Sequence, residues 1–280
     1  MGAGRAGFSL DHNQSSTDTF FVDLKNYKNH SQKITKDNGM MLSLEQFQNH
    51  MKDPEAMILD TRLWSDFQAG HIPNSLFIPN HFVGGAGEEG GMFRKWSDWV
   101  LPRNRKLLLV CDMEKQEHIN IMTWLTQLGF SNILGNLEGG FDTWKNAGLE
   151  SEVDEYYMPK DLLEQGVFDL GNSDVQVLDV RTPAEWRNDG VAPNAKLLEL
   201  ANLTKTWGPD SDNKSLDKTK TTYFQCRAGI RSLVAMSWLR IHGWKDVRNI
   251  IGGRNQMAKD GVELGDATED QYVNPNGDTK

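Results

Sequence analysis

One cysteine stands where the surrounding residue types best support chemistry. Cys226 ends a β-favouring run and is followed by Arg227-Ala228-Gly229-Ile230-Arg231-Ser232, which leads into an apolar, helix-like stretch ending near His242. A thiol at this junction faces backbone N–H groups, the positive end of a helix dipole and two guanidinium groups. Each of these favours the nucleophilic thiolate over the thiol. A lone cysteine is often a small apolar core residue, but the glycine and the two arginines favour a reactive one.

The order of strand, Cys-Arg-Ala-Gly-Ile-Arg and helix resembles the active-site loop of rhodanese-type sulfurtransferases. Leu178–Trp186 is similar to the N-terminal signature of that family, and Ile250–Gly253 is similar to its C-terminal strand and glycine turn. The resemblance covers about residues 159–264. It implies catalysis by Cys226, no cofactor, and substrate binding by Arg227, Ala228, Gly229, Ile230, Arg231 and Ser232.

The sequence also contains an internal repeat. Leu59-Asp60-Thr61-Arg62 matches Leu178-Asp179-Val180-Arg181, and Gly139-Gly140 matches Gly252-Gly253. Two further matches fall between these in the same order: Pro73-Asn74-Ser75 with Pro193-Asn194-Ala195, and Trp124-Leu125 with Trp238-Leu239. We therefore predict two copies of one fold, each of domain size.

The copies differ at the position where chemistry would occur. In the first copy Cys111 also ends a strand, but three carboxylates follow it closely and no glycine does: Asp112, Glu114 and Glu117. Negative charges disfavour a thiolate and repel anionic sulfur donors. We predict that Cys111 packs in the core and that the first copy is an inactive rhodanese-like domain.

Alternation of strand and helix patterns predicts an α/β fold, in which each domain has a parallel β-sheet flanked by helices on both faces. We place the boundaries as follows: a polar arm or linker over residues 1–38, the inactive domain over 39–150, the catalytic domain over 157–264, and a disordered tail over 265–280. A short helix should begin after Ser43 as its N-cap. The segment Glu150–Glu155 is expected to be an acidic linker.

Several other charged or titratable residues have a structural rather than a catalytic interpretation. Asp179, Arg181 and Glu185 are predicted to form one network, because Arg181 and Glu185 lie four residues apart at a strand-to-helix turn. Asp179 and Arg181 are the candidates for support of the Cys226 loop. His71 is predicted to be a hydrogen-bonded structural histidine.

Composition excludes several classes of function. The chain has 280 residues, 38% of them hydrophobic, and no apolar run of the 18 or so residues that cross a membrane. A net charge of −9 argues against a nucleic-acid partner. The seven histidines are scattered, so no metal site is expected. Two cysteines, one of them reactive, indicate a reducing compartment such as the cytoplasm.

These features predict a double displacement in which Cys226 takes sulfane sulfur from thiosulfate or a persulfide and passes it to a thiol or cyanide. Two alternatives stay open. One is a phosphatase or arsenate-reductase-like enzyme, although the phosphatase loop usually has five residues between cysteine and arginine and this one has four. The other is a non-enzymatic interaction module.

An inactive copy placed before an active one resembles the C-terminal part of fusions with a metallo-β-lactamase-fold persulfide dioxygenase. The sequence contains no His-x-His-x-Asp-His motif of such a metal domain. The resemblance therefore implies a persulfide dioxygenase as a partner protein, a fused domain outside this sequence, or no such partner at all.

Overall fold

Short strands and helices alternate along the first copy of the repeat and build a parallel sheet. The computed structural model describes residues 40–80, 90–111, 117–208 and 213–276. Neighbouring strands of the first copy are parallel and lie in the order β1-β5-β4-β2-β3. Its elements are β1 (Met41–Leu42), α1 (Leu44–Met51), β2 (Ala56–Asp60), α2 (Trp64–Ala69), β3 (Ser75–Phe77), α3 (Gly91–Val100), β4 (Lys106–Val110), α4 (Glu117–Gln127), β5 (Ile133–Leu137) and α5 (Gly140–Asn146).

The second copy repeats this plan with four strands, parallel throughout, in the order β7-β6-β8-β9. Two 3₁₀ helices, Leu200–Asn202 and Glu269–Gln271, accompany its regular elements. These elements are α6 (Pro159–Glu164), β6 (Val175–Asp179), α7 (Pro183–Asp189), β7 (Ala195–Leu197), α8 (Leu203–Trp207), β8 (Thr221–Gln225), α9 (Ile230–Ile241), β9 (Val247–Asn249) and α10 (Gly253–Lys259). The predicted fold of two helix-flanked parallel sheets is confirmed.

Reciprocal side-chain caps determine where two of the helices begin. Gln46 N–H donates to Ser43 Oγ at 3.3 Å, and Ser43 N–H donates to Gln46 Oε1 at 2.9 Å, so α1 begins at the predicted cap. Thr182 and Glu185 form the same arrangement at α7, with Pro183 at its first position. Such capping boxes provide hydrogen-bond acceptors for backbone N–H groups that the start of a helix leaves unpaired.

One of the apolar clusters of the described residues is shared by the two copies, and each copy also has one of its own. A single cluster of buried side chains includes residues of both copies, Cys111 and Cys226 among them. Helix α9 packs against the first copy, where Phe77 N–H donates to Ser237 Oγ at 3.0 Å and Trp238 Nε1–H donates to Val100 O at 3.1 Å. The helix that follows Cys226 is therefore held by both copies.

The acidic segment between the copies is bound to them. Glu152 exchanges backbone hydrogen bonds of 2.9 and 3.0 Å with His71, and the Asp154 carboxylate pairs with Arg240 at the end of α9. Arg240 Nη1 lies 2.8 Å from His71 Nε2, and His71 Nδ1 lies 2.9 Å from Phe67 O. Because a guanidinium can only donate, Nε2 accepts and Nδ1 carries the hydrogen. His71 is a hydrogen-bonded structural residue at the contact between the copies.

The structure corrects the prediction of disorder for the tail, as far as residue 276. Val273 N–H donates to Leu197 O at 3.0 Å, and the buried Gln271 side chain donates to Ala192 O at 3.0 Å. The Tyr272 ring packs edge-on against Trp186 at a centroid distance of 5.6 Å. A few apolar side chains suffice for order here because they meet an apolar surface already built by the second copy. The predicted arm over residues 1–38 lies outside the described residues.

Candidate active site

Cys226 lies immediately after β8, at the carboxyl edge of the second sheet and at the amino end of α9. Its side chain is 2% exposed. The Gly229 N–H donates to Sγ at 3.2 Å, and the Ser232 hydroxyl lies 3.6 Å from the same sulfur. Both donors come from the first turn around the helix start, where the helix dipole also favours negative charge. The arrangement suits a sulfur that carries negative charge.

Backbone contacts from the glycine turn hold the Cys226 loop in place. Arg254 N–H donates to Cys226 O at 2.7 Å, and Asn255 N–H donates to Arg227 O at 3.0 Å, so the start of α10 binds two loop carbonyls. A Cβ at Gly253 would lie 2.3 Å from Cys226 O, which no side chain tolerates. The second glycine of the Gly-Gly turn is therefore required for the loop to approach α10 this closely.

Gly229 has a left-handed backbone with φ of 91°. A Cβ at this position would lie 3.2 Å from both Ile250 O and Gly252 N. The left-handed conformation turns the chain from the loop into α9 and directs the Gly229 N–H to the sulfur. Glycine is the residue that adopts this conformation at the lowest cost.

Arg231 is engaged by a carboxylate. Its Nη1 and Nη2 donate to the two oxygens of Glu185 at 2.8 and 2.6 Å, and each side chain is only 17% exposed. Burial alone would raise the pKa of Glu185, but the hydrogen bonds from Arg231 and Thr182 lower it to about 2. Burial would likewise lower the pKa of Arg231, and the Glu185 hydrogen bonds together with nearby Cys226 raise it instead. This pair links the loop to the start of α7.

The predicted network of Asp179, Arg181 and Glu185 is corrected in its partners. The fully buried Arg181 forks onto Asp179 with contacts of 2.7 to 3.1 Å and also donates to Gly190 O at 2.7 Å. Arg181 reaches only the backbone oxygen of Glu185, at 3.5 Å. The Glu185 carboxylate instead binds Arg231, because that guanidinium approaches it with both terminal nitrogens.

The same aspartate–arginine fork occurs in the first copy. Arg62 donates to Asp60 at 2.6 to 3.1 Å and to Gly70 O at 2.8 Å. Both copies therefore use this pair to join a strand end to the turn after the next helix. Its presence in the copy without an arginine-flanked cysteine indicates that it supports the fold.

The remaining loop residues form the accessible side of the site. Arg227 and Ala228 are exposed and Ile230 is half-buried. Arg227 forms no ion pair with any residue that the structure describes, which leaves its guanidinium available to a ligand.

In the first copy, Cys111 follows β4 and is 1% exposed. Its N–H donates to Asn136 Oδ1 at 3.1 Å. The carboxylate of Glu117 accepts a hydrogen bond from Asn80 at 3.1 Å. Asp112 and Glu114 lie outside the described residues, so the acid-flanked loop remains a prediction.

Two contacts of this site were not predicted from the sequence. The Arg231–Glu185 pair joins residues that are 46 positions apart, and Asn249 Nδ2 donates to Gly229 O at 2.9 Å across 20 positions. The one available signal was Glu185 in the position of a capping-box glutamate after Thr182. Within residues 40–80, 90–111, 117–208 and 213–276, no group of three or more His, Cys, Asp or Glu side chains is placed to hold a metal ion.

None of the helices in the described part of the chain is long and apolar enough to cross a membrane.

Comparison with known proteins identifies the family. The rhodanese-like domain model matches residues 43–147 and again residues 164–260. A curated relative, the Rhodanese-like/PpiC domain-containing protein 12, chloroplastic, of Arabidopsis thaliana, is 38% identical over 80 residues. That match covers 29% of this chain and 26% of the relative, so the chain spans about a quarter of the relative's length.

Two solved structures are also similar. A rhodanese-like domain protein from Staphylococcus aureus is 31% identical, with a TM-score of 0.31, and the match covers 40% of this chain and 98% of that one. The 3-mercaptopyruvate sulfurtransferase-type protein SseA from Escherichia coli is 15% identical, with a TM-score of 0.36, over 75% of this chain and 96% of that one. The two family matches together cover well over half of the sequence, and the chain belongs to the rhodanese-like family as a tandem of two such domains.

Proposed function

We propose that this protein is a sulfurtransferase that carries sulfane sulfur on Cys226. The observation that supports it best is the placement of the Cys226 sulfur, 3.2 Å from the Gly229 N–H and 3.6 Å from the Ser232 hydroxyl at a helix start. These groups stabilise a thiolate, and they would equally stabilise the terminal sulfur of a persulfide anion.

The proposed reaction has two displacements. The Cys226 thiolate attacks the outer sulfur of the donor, a Cys226–sulfur bond forms, and the donor's sulfur bond breaks with its electron pair on the leaving group. Thiosulfate thus leaves as sulfite, and a persulfide leaves as a thiolate. An acceptor thiolate or cyanide then attacks the terminal sulfur, which restores the Cys226 thiolate. No net oxidation or reduction of the protein takes place.

The charges at the loop favour a donor with a single negative charge. Arg231 is neutralised by Glu185 at 2.6 and 2.8 Å, whereas Arg227 is exposed and has no ion pair among the described residues. One available guanidinium matches a persulfide monoanion better than the thiosulfate dianion. We therefore propose a low-molecular-weight persulfide as the better donor, with Arg227 as the residue that contacts its charge.

Mass spectrometry of the intact protein tests the covalent step. Brief treatment with thiosulfate or a persulfide should add one sulfur, about 32 Da, and cyanide should remove it. Peptide analysis should place the sulfur on Cys226, and the Cys226→Ser variant should not gain it. No added sulfur with either donor would contradict the proposal. Turnover of p-nitrophenyl phosphate would favour the phosphatase alternative, and absence of both reactions would favour an interaction module.

The cellular setting is a separate part of the proposal. A persulfide donor and the resemblance to dioxygenase–rhodanese tandems support a persulfide dioxygenase as a functional partner. A thiol nucleophile also supports a reducing compartment such as the cytoplasm. Binding of a purified persulfide dioxygenase to this protein, measured by calorimetry against the Cys226→Ser variant, would test the partnership. No detectable heat of binding would contradict it.

A further inference from the structure

We propose that Asn249 is a positioning residue for Cys226, acting through Gly229. The inference rests on the proposed sulfur transfer but assigns a role to a residue that neither the loop motif nor its charges indicate. Asn249 is the last residue of β9 and is 2% exposed. Its Nδ2 donates to Gly229 O at 2.9 Å, and the Gly229 N–H donates to the Cys226 sulfur at 3.2 Å.

The orientation of the Asn249 side chain follows from its partner. A carbonyl oxygen only accepts, so the amide nitrogen of Asn249 must face Gly229 O. The Asn249 Oδ1 has no hydrogen-bond partner among the residues that the structure describes. Burying an amide oxygen without a hydrogen-bond partner costs folding free energy. We therefore infer that the function of this side chain is its hydrogen bond to Gly229 O.

Gly229 needs such an anchor because its backbone is left-handed, with φ of 91°, and it has no side chain to limit rotation. The hydrogen bond from Asn249 holds the Gly229 carbonyl against β9. Rotation of Gly229 would take its N–H away from the sulfur. Asn249 thus keeps the N–H donor aimed at the negative charge that the reaction develops on Cys226.

The first copy supplies a natural comparison. Asn136 lies in β5 at the position that corresponds to Asn249 in β9, three residues before the first glycine of the Gly-Gly pair. There the side-chain oxygen accepts the Cys111 N–H at 3.1 Å, and the side-chain nitrogen donates to Leu137 O at 3.1 Å. Among the described residues, the Asn136 amide binds the strand end, and the Asn249 amide binds the glycine of the loop.

The test compares Asn249→Ala and Asn249→Asp with matched Asn136→Ala and Asn136→Asp variants, all in a Cys111→Ser background so that one thiol reacts. Two rates are measured: iodoacetamide alkylation of Cys226, and single-turnover persulfide formation from thiosulfate. Both rates should fall about three- to tenfold in Asn249→Ala, as expected for loss of one hydrogen bond. They should fall further in Asn249→Asp, which sets a carboxylate against Gly229 O. The Asn136 variants should react at the parent rate.

A structural role is separated from positioning by three further measurements. Rates are expressed per titratable Cys226, the donor concentration at half-maximal rate is determined, and the melting temperature is recorded. Positioning predicts an unchanged titratable fraction and a half-maximal concentration within about twofold of the parent. Equal rates per titratable thiol, or an equal loss in the Asn136 variants, would overturn the proposal.

The proposed function can fail independently. If the parent protein forms no persulfide, sulfur transfer is contradicted, and the alkylation rates alone decide on Asn249. If persulfide forms at the parent rate in both Asn249 variants, the positioning role of Asn249 is contradicted, while the proposed sulfur transfer is supported.

Discussion

The Cys226 loop combines a sulfur with neutral donors and a guanidinium already neutralised by a carboxylate. Gly229 N–H and the Ser232 hydroxyl contact the sulfur directly, whereas both terminal nitrogens of Arg231 donate to Glu185. The groups that contact the sulfur are therefore distinct from the ion pair that holds the loop. Arg227 is exposed, and we propose that it contacts the charge of the donor.

The contrast between the two cysteines gives the first prediction. Cys226→Ser should abolish sulfur transfer to cyanide, because the hydroxyl cannot form a persulfide. Cys111→Ser should retain at least about half of the parent rate, because Cys111 is 1% exposed and its N–H is bound to Asn136. Thiocyanate formation with thiosulfate as donor measures both. Equal losses in the two variants would show that the first domain takes part in the chemistry.

The Arg231–Glu185 pair predicts a gain of activity. In Glu185→Gln the guanidinium keeps its hydrogen-bonding neighbour but loses the compensating charge. With full screening by water, an uncompensated charge about 4 Å from an anion stabilises it by about 1 kcal/mol, or about fivefold. We expect kcat/KM for thiosulfate to rise about three- to tenfold and that for a persulfide monoanion to rise less. The exposed Glu263→Gln serves as the control. A fall for both donors would assign the pair to holding the loop alone.

Glu185 also predicts how stability depends on pH. Its pKa in the folded protein is lowered from 4.5 to about 2 by Arg231 and Thr182, against the effect of burial. The pair therefore stabilises the fold fully above pH of about 4.5 and loses its effect as the pH falls toward 2. The difference in free energy of unfolding between the parent and Glu185→Gln should be largest at pH 6 and shrink steadily at pH 4 and 2.5. Urea titrations measure it, and a difference that is constant with pH would contradict the assignment.

At the scale of elements, local patterns could be read from the sequence where the cause is local. The start of α1 after its cap Ser43 follows from capping, and the doubled domain follows from repeated motifs. Side-chain contacts between distant elements could not be read in this way. The bond from Asn249 to Gly229 depends on how β9 and α9 pack, which no spacing along the chain encodes.

The order of the tail, as far as residue 276, also depends on contacts between distant elements and could not be predicted from its own sequence. Its few apolar residues indicate disorder when considered alone, yet Val273 is buried and Tyr272 packs on Trp186. Composition describes what a segment can bury, and the docking surface decides whether it does so. The partners here are the Trp186 ring of α7 and the backbone of Leu197 in β7, about 75 to 90 residues earlier in the chain.

Removal of residues 265–280 should therefore destabilise the second domain. Burial of Val273 contributes about 1.5–3 kcal/mol, and the deletion also exposes Trp186. We expect the free energy of unfolding to fall by about 2–4 kcal/mol, with a matching loss in melting temperature measured by circular dichroism. The exposed Asp266→Asn is the control and should change the stability by less than about 0.5 kcal/mol. An unchanged melting temperature in the longer deletion would contradict the packing described.

At the scale of the whole chain, helix α9 connects the candidate site to the first domain. It begins next to the Cys226 loop and ends beside Arg240, which pairs with Asp154 and Glu152 and donates to His71. Along its length, Ser237 and Trp238 bind backbone groups of the first domain. The first domain thus has a physical role of its own, because it supports the helix whose start surrounds the sulfur.

This support predicts the behaviour of Arg240→Gln. The substitution leaves the mostly buried Asp154 without its cation, and breaking such a pair costs about 3–5 kcal/mol. Because one apolar core spans both domains, parent unfolding should be a single transition, and the variant should unfold at lower urea with both domains moving together. Tryptophan fluorescence follows the chain as a whole, and pulsed alkylation of Cys111 follows the first domain. The exposed Lys245→Gln is the control and should match the parent. Exposure of Cys111 well before the fluorescence transition in the parent would show that the domains unfold separately, and α9 would then not couple them.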